Sequence, residues 1–234
     1  MPPPTPRPLP RGILFDLDGT LYRLAPVRRR MLAELCVAPL VRFAPLEGLR
    51  TLKRLGRFRR VREELRELGR AGEPLESLQY RRPAELLGEP ESVLRATVAE
   101  WMFERPLRHL AAARREGVRE LIDTAAARGI AVGVFSDYPA RAKLAALGLD
   151  AGVDLTLCAT DPEVNAFKPH PTGFLAACER WGFQPHEVLY VGDRIEVDHA
   201  GAVAAGLECA LVGGEAAGHP AHTTFAELRA RFGA

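Results

Sequence analysis

Apolar positions change their spacing twice along this 234-residue chain, and the changes divide it. Ile13, Leu14 and Phe15 form a short unbroken apolar run, as expected of a strand buried on both faces, and the run stops at Asp16-Leu17-Asp18-Gly19-Thr20. After Tyr22 the period becomes helical and stays so for roughly ninety residues. Val27, Met31, Leu32, Leu35, Ala38 and Val41 fall near one face behind Pro26, which suits a helix start. Leu49, Leu52, Leu55, Phe58, Val61, Leu65 and Leu68 recur at three- and four-residue steps with arginines between them, up to Gly69 and Gly72. Shorter helices are predicted over 76–88 and 91–103, punctuated by Pro83, Pro90 and Pro106.

From Val118 onward helical and strand patterns alternate. A helix through Leu121, Ile122, Ala125 and Ala126 ends at Gly129, and the apolar run 130–135 breaks at Ser136-Asp137. Helices over 139–147, 171–181, 197–205 and 224–232 separate strands at 153–158, 188–191 and 208–212. This alternation predicts an α/β fold, a Rossmann-like parallel sheet flanked by helices. The strand at 13–16 joins that sheet across an all-helical insert. The expected division is a proline-rich, extended tail (1–11), a core (12–22 and 118–234) and a helical domain (23–117).

Charge sharpens the division. The net charge of +2 hides 21 basic against 13 acidic side chains over residues 22–118, and 11 against 17 elsewhere. An apolar content of 47% with 26% charged residues is that of an ordinary globular protein. No run reaches the ~18 apolar residues that span a bilayer, and residues 1–8 do not resemble a signal peptide. A cytoplasmic location without membrane association is therefore the expectation. The four cysteines are scattered without a Cys-x-x-Cys pair and read as reduced, mostly buried residues.

The chemistry sits at strand ends. In an open parallel sheet ligands bind outside the carboxyl ends of the strands, and those ends carry Asp16 and Asp18, Ser136 and Asp137, and Asp193. Lys168 precedes one helix, and Asp198 follows Asp193 by five residues. Paired carboxylates with no basic residue between Gly12 and Tyr22 repel one another unless a cation such as Mg²⁺ sits there. A hydroxyl, an ammonium and a carboxylate nucleophile complete an alphabet suited to phosphoryl transfer. The plainer readings are an Asp-Gly turn for the first acids, a helix cap for Ser136, and a solvated lysine for Lys168. Against the last stands composition: the chain has only three lysines, 53, 143 and 168, beside 29 arginines.

The set Asp16-Leu17-Asp18-Gly19-Thr20, Ser136, Lys168 and Gly192-Asp193 with Asp198 resembles the four motifs of the haloacid dehalogenase superfamily. The helical insert resembles the C1 cap of its phosphoglycolate phosphatase-like branch. The resemblance implies Asp16 as nucleophile, forming an aspartyl-phosphate, and Asp18 as acid and then base. It places Ser136 and Lys168 on phosphoryl oxygens, with Thr20 and Asp137 beside them as substrate-binding residues. Mg²⁺ would be held by Asp16, the backbone carbonyl of Asp18, and Asp193, with Asp198 supporting the metal's water shell or Lys168. Dehalogenases of the superfamily carry Tyr where Asp18 stands, and an alkoxide leaving group needs the acid that Asp18 supplies. Asp137 stands where Asn is commoner, so its carboxylate is expected to turn outward or toward the cap.

The expected activity is hydrolysis of a small phosphorylated metabolite, a phosphate monoester. A phosphomutase is the mechanistic alternative. A protein that binds phosphate esters without turnover, or one that docks nucleic acid or an anionic surface through the basic helix, represents a different class. Tyr80-Arg81-Arg82-Pro83 and Arg28-Arg29-Arg30 are candidates for a second anionic group, although arginines between leucines usually form a solvated face. Glu63 with Arg59, Glu64 with Arg60 and Glu67 with Arg70 have the spacing of helical ion pairs.

Overall fold

The computed structural model describes residues 8–41, 45–70 and 72–233. Four-residue strand β1 (Gly12–Phe15) is followed by helices α1 (Leu24–Val41), α2 (Pro45–Glu67), α3 (Leu75–Leu87) and α4 (Glu91–Val98). Then come α5 (Val118–Ala127), β2 (Ala131–Ser136), α6 (Arg141–Leu147), β3 (Leu155–Cys158) and α7 (Thr172–Trp181). The chain ends through β4 (Val188–Gly192), α8 (Ala200–Ala204), β5 (Glu208–Val212), β6 (His222–Thr223) and α9 (Phe225–Arg231). The strands form one sheet in the order β3-β2-β1-β4-β5-β6, every pair parallel. The Rossmann-like α/β architecture expected of the alternating pattern is what the chain adopts.

Because successive strand residues face opposite ways, the apolar run of β1 feeds two cores. Ile13 and Phe15 join Leu121, Ile122, Leu144, Phe225 and Leu228 beneath α5, α6 and α9. Leu14 joins Phe135, Phe174 and Tyr190 beneath α7 and α8. The second core also takes Val61, Leu65 and Leu75 from α2 and α3, so the helices after β1 are seated directly on the sheet assembly. A small core of their own gathers Leu55, Phe58, Tyr80, Ala84, Leu94 and Val98. The chain leaves and rejoins the sheet at paired points, where the Arg23 N–H donates to the Ala113 carbonyl and the Arg115 N–H to the Leu21 carbonyl, 2.8 and 3.0 Å.

Some expectations need correction. The leucine face of α2 is buried from Leu55 to Leu65, but Leu49, Leu52 and Leu68 are exposed, as is Leu32 of α1. Leu55 and Phe58 are covered by α3 and α4, and Val61 and Leu65 by the sheet-side core, so this is the stretch over which the leucine face of α2 has a surface to bury against. The side chains of Ala38 and Val41 lie outside those described. Glu63 pairs with Arg66 rather than Arg59, at 2.9 Å, and Glu64 lies 3.9 Å from Arg82 of α3 rather than on Arg60. Two segments, 99–104 and 195–199, wind as π-turns, and β6 is too short for a pattern of period two to reveal. Of the proline-rich tail, residues 1–7 lie outside the described residues. Arg11 is tied down, 3.2 Å from Glu187 and stacked over Phe183.

Candidate active site

The carboxyl ends of β1, β2 and β4 converge on one volume. Asp16 extends the pairing of β1 by one rung, its N–H donating to the Val191 carbonyl at 2.8 Å, and this aims its carboxylate past the sheet edge. Gly19 makes the turn that follows with φ +111°, and a Cβ there would sit 2.1 Å from Asp193 Oδ2. Only glycine lets the loop approach Asp193 so closely. The Arg115 guanidinium braces the same turn, donating twice to the Gly19 carbonyl at 3.0 and 2.8 Å.

Lys168 is the centre of a buried network. Its ammonium donates to Asp16 Oδ1 at 2.5 Å, to Asp198 Oδ1 at 2.8 Å and to the Tyr190 hydroxyl at 3.0 Å, and is 3% exposed. Burial alone would lower the lysine's pKa, but Asp16 and Asp198 outweigh it and push it up. Burial is also the largest influence on Asp16, pushing it up to about 8; Lys168 opposes this and the charges of Asp198 and Asp193 add to it. Asp198 is buried too, yet the same ammonium holds it below the usual carboxylate range. Its Oδ1 also accepts from Tyr190 at 2.9 Å, and its Oδ2 from the N–H groups of Asp193 and Arg194 at 3.2 and 3.1 Å. A Cβ at Gly192 would collide with Asp198 at 2.4 Å, so glycine is required for this contact as well.

Asp18 points elsewhere. Both its oxygens lie 2.6 Å from the ammonium of Lys143 on α6, and Oδ1 also accepts from the Tyr22 hydroxyl. Burial opposes its charge, but Lys143 and the two donors outweigh that and lower its pKa. Thr20 is fully buried, its hydroxyl donating to Asp16 Oδ2 at 3.0 Å, so it orients Asp16 rather than facing the open site. Ser136 does not cap α6, which begins five residues later. Its Oγ accepts from the Tyr138 N–H at 3.2 Å, which leaves the hydroxyl proton to donate elsewhere. Asp137, grouped with the substrate-binding residues by its position, has both oxygens engaged: Oδ2 lies 2.8 Å from Arg66, and Oδ1 accepts from the Lys168 N–H at 3.3 Å.

Asp16, Asp193 and Asp198 each bring a carboxylate oxygen within 4.8 Å of the others. The donor set is all hard oxygen, which suits Mg²⁺. Asp198 already accepts four hydrogen bonds, so Asp16 and Asp193 are the residues placed to touch a cation, with Asp198 behind them. The carboxylate of Asp18 lies outside this cluster and could contribute only its backbone carbonyl.

Among known families, the sequence pattern of haloacid dehalogenase-like hydrolases matches residues 10–206. The chain belongs to that family. A phosphoglycolate phosphatase of Xylella fastidiosa is 31% identical over 211 residues, 87% of this chain and 80% of the relative. A ribulose-1,5-bisphosphate 5-phosphatase of Halopiger xanaduensis is 32% identical over 213 residues, 86% and 83% of the two chains. The crystal structure of a HAD phosphatase from Thermococcus onnurineus superposes with a TM-score of 0.62 at 22% identity, covering 95% of this chain and 97% of that one. That likeness concerns the fold. Among the described residues no helix of this hydrolase is long and apolar enough to cross a membrane.

Several residues of the site escaped sequence reasoning. Lys143 carried one available signal, since two of the chain's three lysines meet the motif acids. Tyr22 and Tyr190 carried none. The arginines singled out as anion contacts lie on the surface: Arg81 pairs with Glu73 at 2.6 Å, and Arg82 is 44% exposed. Arg62 and Arg66, one turn apart on α2, reach the site's loops instead.

Proposed function

We propose that this hydrolase is a Mg²⁺-dependent phosphatase acting on a small phosphate monoester through an aspartyl-phosphate on Asp16. The observation that carries the reading is the Lys168 ammonium bridging Asp16 and Asp198 beside Asp193, with a second carboxylate, Asp18, two residues from the nucleophile. The phosphatase names of relatives similar over most of the chain support it. A Mg²⁺ held by Asp16 and Asp193 would neutralise phosphoryl oxygens and the repulsion among the acids.

In this reading an Asp16 oxygen attacks phosphorus and the P–O bond to the ester oxygen breaks. Thr20 and Lys168 hold the two Asp16 oxygens, so the attack proceeds from a fixed carboxylate. The departing oxygen takes a proton from Asp18. Water then attacks phosphorus of the aspartyl-phosphate, giving its proton to Asp18 and returning Asp16 as a carboxylate. The Lys143 contact favours ionised Asp18, the form the second step uses. The first step needs the acid form, so Asp18 must leave Lys143 while the ester oxygen departs. Ser136 donates its hydroxyl to a phosphoryl oxygen. The helices over 24–113 serve as a cap that excludes water and reads the leaving group.

Phosphate release from a panel of phosphorylated metabolites and an aryl phosphate tests this, run with Mg²⁺, with chelator, and with Asp16→Asn. Turnover that requires Mg²⁺ and vanishes in the variant is the expected result. Turnover that survives either chelation or Asp16→Asn would remove the mechanism.

A further inference from the structure

We infer that Arg66, acting with Arg62 through Asp137, is a positioning residue that registers the helical segment against the two loops carrying Ser136 and Lys168; the inference rests on the phosphatase reading above. Arg66 Nη1 lies 2.8 Å from Asp137 Oδ2 and donates as well to the backbone carbonyl of Lys168. Asp137 Oδ1 in turn accepts from the Lys168 N–H. Arg62 Nη2 donates to the Asp137 carbonyl at 2.7 Å, and its Nη1 to Gln79 of α3. One acid and two arginines thus join α2, the loop after β2 and the loop before α7.

Burial separates these contacts from ordinary surface pairing. Arg62 is 2% exposed, and its hydrogen-bond partners are an amide oxygen and a carbonyl, not a carboxylate. Its guanidinium is stacked 4.1 Å from the Tyr138 ring and 4.2 Å from the Phe167 ring, the neighbours of Asp137 and Lys168. Desolvating an arginine without a counter-charge is unfavourable, and on the same helix Arg59 and Arg60 remain exposed. Arginine presents several donors in a rigid plane, which lets Arg66 hold the Asp137 side chain and the Lys168 carbonyl at once. A shift of α2 therefore pulls on the backbone that aims the Lys168 ammonium at Asp16. Arg66 also supplies the counter-charge to the largely buried Asp137 carboxylate. Arg66 touches neither the metal-binding acids nor any reacting atom, so its effect is transmitted.

The test uses the whole chain with Arg66→Ala, Arg66→Lys, Asp137→Ala and the Arg66→Ala/Asp137→Ala double variant. It measures kcat and KM on the best ester of the panel, thermal unfolding, and amide hydrogen exchange at Tyr138 and Lys168. Each alanine variant is expected to lower kcat by roughly ten- to a hundredfold, with KM moving less than about threefold. The double variant should be no worse than the weaker single, because the pair acts as a unit. Arg66→Lys should recover part of the rate, since an ammonium lacks the planar fork. Wild-type kcat in Arg66→Ala, or losses that multiply in the double variant, overturns the inference. Should Arg66→Ala fail to fold, Asp137→Asn keeps the shape and removes the charge; an unchanged kcat there is equally fatal. If the wild type turns over no ester, the phosphatase reading falls by itself. The coupling is then read from exchange at the Lys168 amide, where faster exchange in Arg66→Lys supports the registration and unchanged exchange rejects it.

Discussion

Opposite charges meet at the sheet's carboxyl edge and across the helices after β1, but the two regions use them in opposite ways. At the sheet edge Lys168 is buried on Asp16 and Asp198, and Lys143 on Asp18, with almost no water to share the charge. Along the helices Arg81 meets Glu73, and Arg95 meets Glu76 and Glu91, in the open. Exposed pairs are screened and contribute ~0–1 kcal/mol. A buried ammonium is tolerated only while its carboxylates remain, so removing it strands them. Where charge is buried it fixes the side chains it joins; where it is solvated each pair contributes little.

Breaking the buried side of this comparison should have the largest effect. Lys168→Met leaves Asp16 and Asp198 without their cation, and we expect a loss of about 3–5 kcal/mol in denaturant unfolding together with loss of phosphate release. A variant as stable as the wild type would show that the ammonium is not needed to hold the two acids. Phe58→Ala empties the small core of the helices and should cost about 3–5 kcal/mol locally. Hydrogen exchange should quicken in α3 and α4 while β1 and β4 amides stay protected, because these helices have their own core. Uniform acceleration would instead make the molecule one cooperative unit.

Lys143→Met sharpens the division of labour between the acids. It removes the ammonium that keeps Asp18 ionised, the form the second step uses, so breakdown of the aspartyl-phosphate should slow and kcat fall by up to about 10²-fold, the usual scale for general acid–base help, while Mg²⁺ binding measured by calorimetry is retained. Loss of metal binding would place Asp18 in the cation site after all. The smallest effect belongs to the surface. Arg95→Gln should change stability by less than about 1 kcal/mol in the same denaturant experiment, and a larger loss would mean that its stacking on Tyr80 at 4.0 Å matters more than its ion pairs.

Legibility in the sequence followed the same divide. An apolar run ending in acids marks a strand and its active end within a few residues, so β1, β2 and β4 and the motif acids could be read directly. The arginines could not be sorted. Helical periodicity assigns every arginine of α2 to a polar face, whereas Arg62 is buried between Tyr138 and Phe167 because a second layer covers that part of the helix. Asp137 was legible as a departure from the family pattern, but its partner lies 71 residues earlier.

By itself the sequence determined the alternating core, the helical block and the residue types gathered at the strand ends, since period and composition are local properties of the chain. Only the tertiary structure decided that the one Lys168 ammonium meets Asp16 and Asp198 at once, that Asp18 rests on Lys143 and Tyr22, and that the Thr20 hydroxyl is turned onto Asp16. It also decided that Arg66 holds Asp137. Each of these except the Thr20 and Tyr22 contacts joins positions 30 or more residues apart. Their pairing is set by sheet order and by the depth at which charge loses its water, and neither is written in any short stretch of residues.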